Sequence, residues 1–390
     1  MSENVIIKPD LKFVKDVIAS GGADLKKCYQ CSTCTVVCNV TPDKGPFPRK
    51  EMLYAQWGMK EKLMGSPDVW LCHQCSDCTA YCPRGAKPGE VLGAIRKMVI
   101  RDYSAPSFLA DMVGKPGYLP VLFAIPVFIF FLIVASLGSF DVIGKGGEIV
   151  YAKFIPVPFI DTVFNAAALF AVTSFVFGIK KYWAEMSQAS GISRYAMMAQ
   201  GNIFESIKGT IMDIIAHRKF EKCDVAKGRT DAHRFVFFAF AGLAVTTTWA
   251  IVYLYGYELA GIKAFSIFHF GESPYPLYDP MKILGNASAI ALLIGITKVI
   301  SNRMEIKDKA GVGSYFDWLF ISVILGIVAT GILSELLRLA NIAALAYPVY
   351  FIHLVFVFFL FAYAPFSKMA HMVYRATAMV FARHTQREGQ

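Results

Sequence analysis

Six long apolar stretches occupy most of the sequence after residue 118. They lie at roughly 118–140, 160–179, 234–256, 281–300, 316–338 and 346–366. A helix rises about 1.5 Å per residue, so about 20 residues cross the hydrocarbon layer of a membrane. Hydrophobic residues make up 55% of the chain and charged residues 17%, which is not the composition of an ordinary soluble protein. The sequence therefore predicts six membrane-spanning helices.

Basic residues are distributed unevenly among the segments that connect these stretches. The segment 180–234 contains ten Lys and Arg residues, whereas 257–280 contains one and 339–346 contains none. Because Lys and Arg collect in cytoplasmic loops, this pattern predicts a multi-pass protein of the cytoplasmic (inner) membrane with both termini in the cytoplasm. The net charge of +10 follows the same distribution, so we expect no nucleic-acid partner.

Eight of the nine cysteines form two runs with the same spacing, CYQCSTCTVVC and CHQCSDCTAYC, 44 residues apart. In two-cluster ferredoxins the fourth cysteine of each run binds the cluster of the other run. The predicted ligands are therefore Cys28, Cys31, Cys34 and Cys82 for one cluster, and Cys72, Cys75, Cys78 and Cys38 for the other. A pair of zinc sites is the alternative, although zinc sites more often use two separated CxxC pairs. Cys223 stands apart in a charged loop and is expected to be incidental.

Histidines near the apolar stretches indicate haem. His353 and His371 are 18 residues apart, which is five whole helical turns and about 27 Å on a continuous helix. One helix could then offer a ligand to each of two b-type haems, unless Pro365 kinks it. We pair His233 with His371 for an inner haem and His269 with His353 for an outer haem.

The remaining histidines have less defined roles. His217 lies in an amphipathic stretch expected at the inner membrane surface, and it could be a ligand or an interfacial residue. His73 lies inside the second cysteine run, where it could tune a cluster or simply pack. His384 lies in a tail that looks disordered.

Two charged residues near the outward end of the fifth stretch are candidates for quinol chemistry. Glu335 and Arg338 are three residues apart and can share a helix face. They could form an ordinary ion pair at the membrane boundary, or serve as a quinol proton acceptor and as an arginine for haem propionates. Lys282 and Asp279, at the start of the fourth stretch, are weaker candidates of the same kind.

The predicted fold is all-α. Residues 1–105 would form a cytoplasmic, mostly helical domain with two [4Fe-4S] clusters, because apolar residues at helical spacing follow each cysteine run. The resemblance described next implies that this domain is a helical ferredoxin. Residues 106–375 would form a six-helix transmembrane cytochrome b domain that holds two haems b. Residues 376–390 would form a cytoplasmic tail.

The motifs carry a family resemblance. The part with CYQCSTCTVVC and CHQCSDCTAYCP resembles the C subunit of heterodisulfide reductase, a helical ferredoxin with two clusters. Residues 118–375 are similar to the cytochrome b subunit of that reductase and to the dihaem gamma subunit of respiratory nitrate reductase. That cytochrome family places two ligand histidines on one earlier helix, whereas His233 has no partner ten residues on, so a one-haem version stays open. The fusion of both parts resembles the C subunits of the quinone-interacting membrane-bound oxidoreductases (Qmo) of sulfate reducers.

The resemblance implies a partner set. It implies oxidation of menaquinol and transfer of electrons to two cytoplasmic flavoprotein subunits related to heterodisulfide reductase A, which in turn serve adenylylsulfate reductase. The sequence contains no GxGxxG motif after a strand, so we expect a relay and not the terminal catalyst. The alternatives are a quinone-reducing subunit of the heterodisulfide reductase type and a cluster-bearing membrane anchor or sensor without haem.

Overall fold

The computed structural model describes residues 8–143, 147–191, 201–218, 228–262, 275–307 and 313–387. Over these residues the secondary structure is helical, without a strand, so the predicted all-α fold is confirmed.

The N-terminal part contains both cysteine runs, and from residue 8 onward it has eight helices. They are α1 (Leu11–Ala19), α2 (Thr33–Val36), α3 (Arg49–Gln56), α4 (Lys60–Met64), α5 (Asp68–Leu71), α6 (Asp77–Ala80), α7 (Pro88–Tyr103) and α8 (Ser107–Val113). The short helices α2 and α6 each begin five residues after the first cysteine of a run, and they pack against each other. The repeat in the sequence is therefore also a repeat in the structure.

Between residues 119 and 362, the described residues contain eight further helices, of which six are long. They are α9 (Leu119–Leu137), the short α10 (Tyr151–Phe154), α11 (Val157–Ala189), the shorter α12 (Ile203–Ala216), α13 (Gly228–Val252), α14 (Pro280–Glu305), α15 (Tyr315–Leu339) and α16 (Ala343–Ala362). The six long helices coincide with the six predicted stretches, and each is long and apolar enough to cross a membrane. They are compatible with a multi-pass membrane protein, and we call them the six-helix part.

Side-chain caps set the starts of two of these helices. Asp279 accepts hydrogen bonds from the backbone N–H groups of Met281, at 2.8 Å, and Lys282, at 2.9 Å, at the start of α14. Ser314 and Asp317 form a reciprocal capping box at the start of α15. Asp279 is buried and its carboxylate caps a helix, so it has a structural role.

Helix α11 contributes to both parts. Its 33 residues rise about 50 Å, well beyond the ~30 Å of a hydrocarbon layer. Its last third packs on the N-terminal part, where the Tyr182 hydroxyl donates to the Ser66 carbonyl at 3.3 Å. A Cβ at Gly65 would lie only 2.7 Å from the Glu185 carbonyl oxygen, so the two backbones need a glycine here.

The chain after α16 departs from the predictions. Helix α16 ends at Ala362, a single 3-10 turn covers Ala364–Phe366, and a new helix, α17 (Ala370–His384), follows. Tyr374, Ala378 and Phe381 are at positions i, i+4 and i+7 of α17, and all three are buried. His384 is buried as well, so the expectation that it lies in a disordered tail was wrong.

Residues from both parts share one apolar core. Trp70 of α5, Tyr182 of α11 and Tyr374 of α17 belong to it, and the Trp70 and Tyr374 rings lie 5.6 Å apart. The Arg387 guanidinium pairs with the fully buried Asp68 carboxylate at the same interface. The cysteine-bearing part is thus fixed against the six-helix part by packing and charge.

Candidate functional site

The two cysteine runs adopt the same backbone conformation. Gln30 and Ser32 have positive φ angles of 60° and 71°, and the residues 44 positions later, Gln74 and Ser76, have 51° and 73°. The left-handed backbone conformation of these residues turns the chain sharply before α2 and α6. This turn brings successive cysteines of a run to the same side.

Four cysteines from both runs line one pocket. They are Cys28, Cys31 and Cys34 of the first run and Cys82 of the second. The Ala86 backbone N–H lies 3.4 Å from Cys82 Sγ, the kind of hydrogen bond that tunes a cluster thiolate. The structure therefore brings together the four residues that the sequence assigned to one cluster, including the crossed fourth ligand.

The other four cysteines are also neighbours. Cys38 interacts electrostatically with Cys72 and Cys75. Cys78 interacts with the same two cysteines, and less strongly with Cys34 of the first set and with Cys38. Burial raises the pKa of the Cys38 thiol to about 12 and that of the Cys34 thiol to about 11. Both thiols therefore hold their protons in the protein alone. Cluster binding needs thiolates, so it must release these protons.

The donor set suits clusters of several irons. In a [4Fe-4S] cluster each of the four thiolates binds a different iron, so the sulfurs need not converge on one point. Among the residues that the structure describes, no three His, Cys, Asp or Glu side chains converge on a single metal position.

Arginines from the six-helix part and from α17 hold the second cysteine run. Arg375 of α17 donates to the Cys72 carbonyl at 3.3 Å, and its Nη2 lies 2.7 Å from His73 Nε2. Arg229, in α13, donates to the Gln74 carbonyl. Nothing in the sequence indicated these contacts, and His73 proves to be a packed, hydrogen-bonded residue of this interface.

Three histidines lie directly beyond these arginines. His217 Nε2 is 2.9 Å from His233 Nδ1, and both His217 and His371 are within electrostatic range of the His233 ring. His371 donates from Nδ1 to the Lys368 carbonyl, which leaves Nε2 as its lone-pair nitrogen. Burial lowers the pKa of His371 to about 4, so its imidazole is neutral at physiological pH. The predicted inner pair, His233 and His371, is thus brought together. His217, for which the sequence left a ligand or an interfacial role open, lies beside His233.

The predicted shared helix face of His353 and His371 does not exist. The two residues are on different helices, α16 and α17, because the chain turns between Ala362 and Ala370 around Pro365. The prediction of a single stripe five turns long was therefore wrong.

The surroundings of His353 still suit an axial ligand. Its Nδ1 lies 3.1 Å from both the Ile327 carbonyl and the Thr330 hydroxyl, and its ring packs on Gly331. As in His371, an Nδ1–H that donates to a carbonyl leaves Nε2 available to a metal. Its proposed partner His269 and the isolated Cys223 lie outside the described residues, so those two assignments stay predictions.

Glu335 and Arg338 do pair, and Lys282 joins them. Arg338 Nη2 lies 3.0 Å from Glu335 Oε1, and Lys282 Nζ lies 2.8 Å from Oε2. The triad links α14 to α15 at the end of the six-helix part where α14 begins. One carboxylate between two cations is an ion-pair network, and it is also a group that could exchange a proton with a bound quinol.

Comparison with known proteins gives a family context for the N-terminal part alone. Residues 24–86 match the model of the 4Fe-4S dicluster domain. The C subunit of H(2):CoB-CoM heterodisulfide,ferredoxin reductase from Methanothermobacter thermautotrophicus is 31% identical over 122 residues, which is 30% of this chain and 65% of that protein. A protein from Archaeoglobus profundus that is named as similar to the C subunit of heterodisulfide reductase is 32% identical over 102 residues, which is 26% of this chain and 54% of that protein.

The match thus covers less than two thirds of the length of these relatives, and no solved structure matches the chain. The N-terminal part therefore matches an iron–sulfur dicluster domain and is similar to C subunits of heterodisulfide reductases.

Proposed function

We propose that this chain is a membrane electron-transfer subunit that oxidises menaquinol and passes the electrons through haem b and two [4Fe-4S] clusters to soluble flavoprotein subunits. In this proposal the cysteine-bearing part faces the cytoplasm of an inner membrane, as the distribution of basic residues predicts.

One observation carries the proposal. The second cysteine run is held by Arg229 and Arg375, and each arginine is four residues from a histidine of the inner pair, His233 and His371. Residues four apart on a helix lie on the same face, one turn apart. The predicted haem ligands and the predicted cluster ligands therefore meet at one interface, which an electron relay requires and a simple membrane tether does not.

The residues present fit haem b. His371 and His353 each have Nδ1 engaged by a backbone carbonyl, and such second contacts fix the ring of a metal-binding histidine. Together with His233 and the predicted His269, they would hold two haems. Haem b, when bound, supplies a one-electron carrier within the membrane.

The triad of Glu335, Arg338 and Lys282 supports a quinol site at the other end of the six-helix part. Quinol oxidation releases two protons with its two electrons, so it needs a group that accepts protons. Glu335 is a carboxylate near the end of α15, and we assign it this role, with Arg338 and Lys282 holding its side chain in place.

The proposed partners follow from the resemblance to the Qmo C subunits. The two curated relatives described above are named as heterodisulfide reductase C subunits or similar proteins. From the resemblance of the fused chain to the Qmo C subunits, we propose two flavoprotein subunits related to heterodisulfide reductase A as the partners, with adenylylsulfate reductase as the final recipient of the electrons.

The test is cofactor analysis of the purified chain with its co-purifying subunits. We expect b-type haem bands in a reduced-minus-oxidised spectrum and about eight cluster irons per chain. After reduction by menaquinol, the reduced haem bands should disappear when an oxidised acceptor is added. His371→Ala should remove one haem, whereas His384→Gln, at the end of the same helix, should remove none. A spectrum without b-type bands would refute the relay and favour the cluster-bearing anchor.

A further inference from the structure

The repeated cysteine runs have different surroundings at equivalent positions. Tyr29 and His73 occupy the same position, 44 residues apart, in the two runs. Tyr29 is 68% exposed and lies beneath the Arg84 guanidinium, with 4.1 Å from its ring centre to Arg84 Cζ. His73 is 6% exposed and is covered by Arg375 of α17. The same local structure is thus open in one copy and covered in the other.

The backbone carbonyls next to these residues show the same difference. The Gln30 carbonyl accepts a hydrogen bond from Arg49 Nε at 3.2 Å, within the N-terminal part. The equivalent Gln74 carbonyl accepts one from Arg229 of α13. The second run is therefore docked on the six-helix part. Among the described residues, the equivalent surface of the first run is covered only by residues of the N-terminal part.

This arrangement orders the two clusters. The cluster predicted at Cys72, Cys75, Cys78 and Cys38 faces the six-helix part and the inner histidines. The cluster predicted at Cys28, Cys31, Cys34 and Cys82 faces outward, and Cys31 is exposed at the surface. An electron that leaves the six-helix part would reach the enclosed cluster first and the outward cluster last.

The outward face is positively charged. The charged residues that line the pocket of the first four cysteines are Arg49 and Arg84. The nearby carboxylate of Asp24 is already paired, with Lys27 at 2.5 Å and Lys87 at 3.4 Å. An exposed tyrosine within a rim of arginines is also a composition typical of protein interfaces.

From this asymmetry we propose that the outward face, defined by Tyr29, Cys31, Arg49 and Arg84, is the docking surface for a soluble redox protein whose own cofactor is surrounded by acidic residues. The proposal rests on the proposed function, because it takes both cysteine sets to be clusters. One electron at a time would pass from the outward cluster to the docked protein, which is reduced as the cluster is oxidised.

Two soluble acceptors of opposite surface charge test this docking surface. The full chain in detergent, with its clusters reduced by dithionite, is mixed rapidly with oxidised plastocyanin, which is acidic, or with oxidised cytochrome c, which is basic. We expect the second-order rate constant with plastocyanin to fall as ionic strength rises. Arg84→Glu should lower that constant about tenfold at low salt and raise the constant with cytochrome c.

Matched variants separate the docking surface from general charge effects. Lys15→Glu reverses an exposed charge on α1 away from the pocket and should leave both rate constants within about twofold of the parent. Tyr29→Glu adds a negative charge to the outward face without changing Arg84. It replaces Arg84→Glu as the test variant if Arg84→Glu loses iron, and the same changes in both rate constants are expected.

The outcomes are distinct. Equal rate constants for Arg84→Glu and Lys15→Glu, or a parent protein that prefers the basic acceptor, would overturn the docking surface. Neither result would affect the proposed quinol oxidation, because dithionite supplies the electrons. Conversely, a chain that holds clusters but no haem could still show the expected charge dependence.

Discussion

Glu51 is a buried carboxylic acid in α3 next to a second acidic residue. Its side chain is fully buried, and neither of its oxygens has a hydrogen-bond partner among the described residues. Lys50 Nζ lies 3.4 Å from Glu51 Oε1, but the same ammonium group lies 2.7 Å from Asp68 Oδ2. Burial, together with the charge of Asp68, raises the pKa of Glu51 to about 8.

The sign of the pH effect follows from this raised pKa. In the unfolded chain Glu51 releases its proton near its ordinary value of 4.5, whereas the folded protein keeps the proton until about pH 8. Between these values the folded state binds one more proton, so its stability falls by about 1.4 kcal/mol for each unit of rising pH. The loss reaches about 4 kcal/mol by pH 8.

Glu51→Gln should remove this loss. The amide has the shape of the protonated acid and stays neutral, so the variant should match the parent at pH 5 and exceed its stability at pH 8. Hydrogen exchange of the α3 amides measures the difference directly, because intrinsic exchange rates cancel when parent and variant are compared at one pH. The ratio of parent to variant exchange rates should rise about tenfold per pH unit between 5 and 8.

The control is Glu61→Gln, which neutralises an exposed carboxylate on the neighbouring helix α4. It should give a ratio near one at every pH. A flat ratio for Glu51→Gln across the same range, or a variant less stable than the parent at pH 8, would refute the reasoning.

Three further substitutions address the site. Gly331→Ala would place a Cβ 3.0 Å from His353 Cε1, so we expect the reduced-minus-oxidised spectrum to show an altered or missing outer haem. Lys368→Met removes the cation paired with the buried Asp317, which should cost about 3 kcal/mol and lower the thermal unfolding midpoint in detergent. Arg375→Gln withdraws a positive charge beside the second cysteine run, so redox-titrated EPR should show a lower potential for one cluster and an unchanged potential for the other.

Each substitution has a matched control. Gly117→Ala changes a glycine whose Cβ would meet no other atom within 4 Å, and it should leave the haem spectrum intact. The double variant Asp317→Asn/Lys368→Met should recover most of the lost stability. If it does not, the explanation by an unpaired buried charge is wrong. Arg101→Gln removes an exposed arginine and should leave both cluster potentials unchanged. An equal effect of Arg101→Gln and Arg375→Gln would contradict the specific role of Arg375.

Features set by short segments could be predicted from the sequence. Each apolar stretch carries its own signal over about 20 residues, and all six appear as long helices. The spacing within each cysteine run fixes a tight local turn. The position of Cys82 beside the first run follows from the pattern in which the fourth cysteine of one run binds the cluster of the other, and the repeated runs show this pattern. The pairing of Glu335 and Arg338 is equally local, since they are one turn apart on α15.

Features that depend on continuity or on distant contacts could not be predicted. The stripe of His353 and His371 required an unbroken helix, but Pro365 has no N–H to continue the hydrogen-bond ladder and the chain turns there. Arg229 and Arg375 contact the second cysteine run across 155 and 302 residues of sequence. A polar contact over that separation leaves no periodicity in a single sequence.

The position of α17 has a consequence for how the protein is made. About 290 residues separate Cys82 from the helix that covers the second cysteine run. At roughly 5–20 residues per second, synthesis of that interval takes about 15 to 60 s. Throughout this time Arg375 has not yet been synthesised, and α17 does not cover the second cysteine run. The cellular machinery that delivers iron and sulfide therefore has access to both cysteine runs before α17 docks and closes the second.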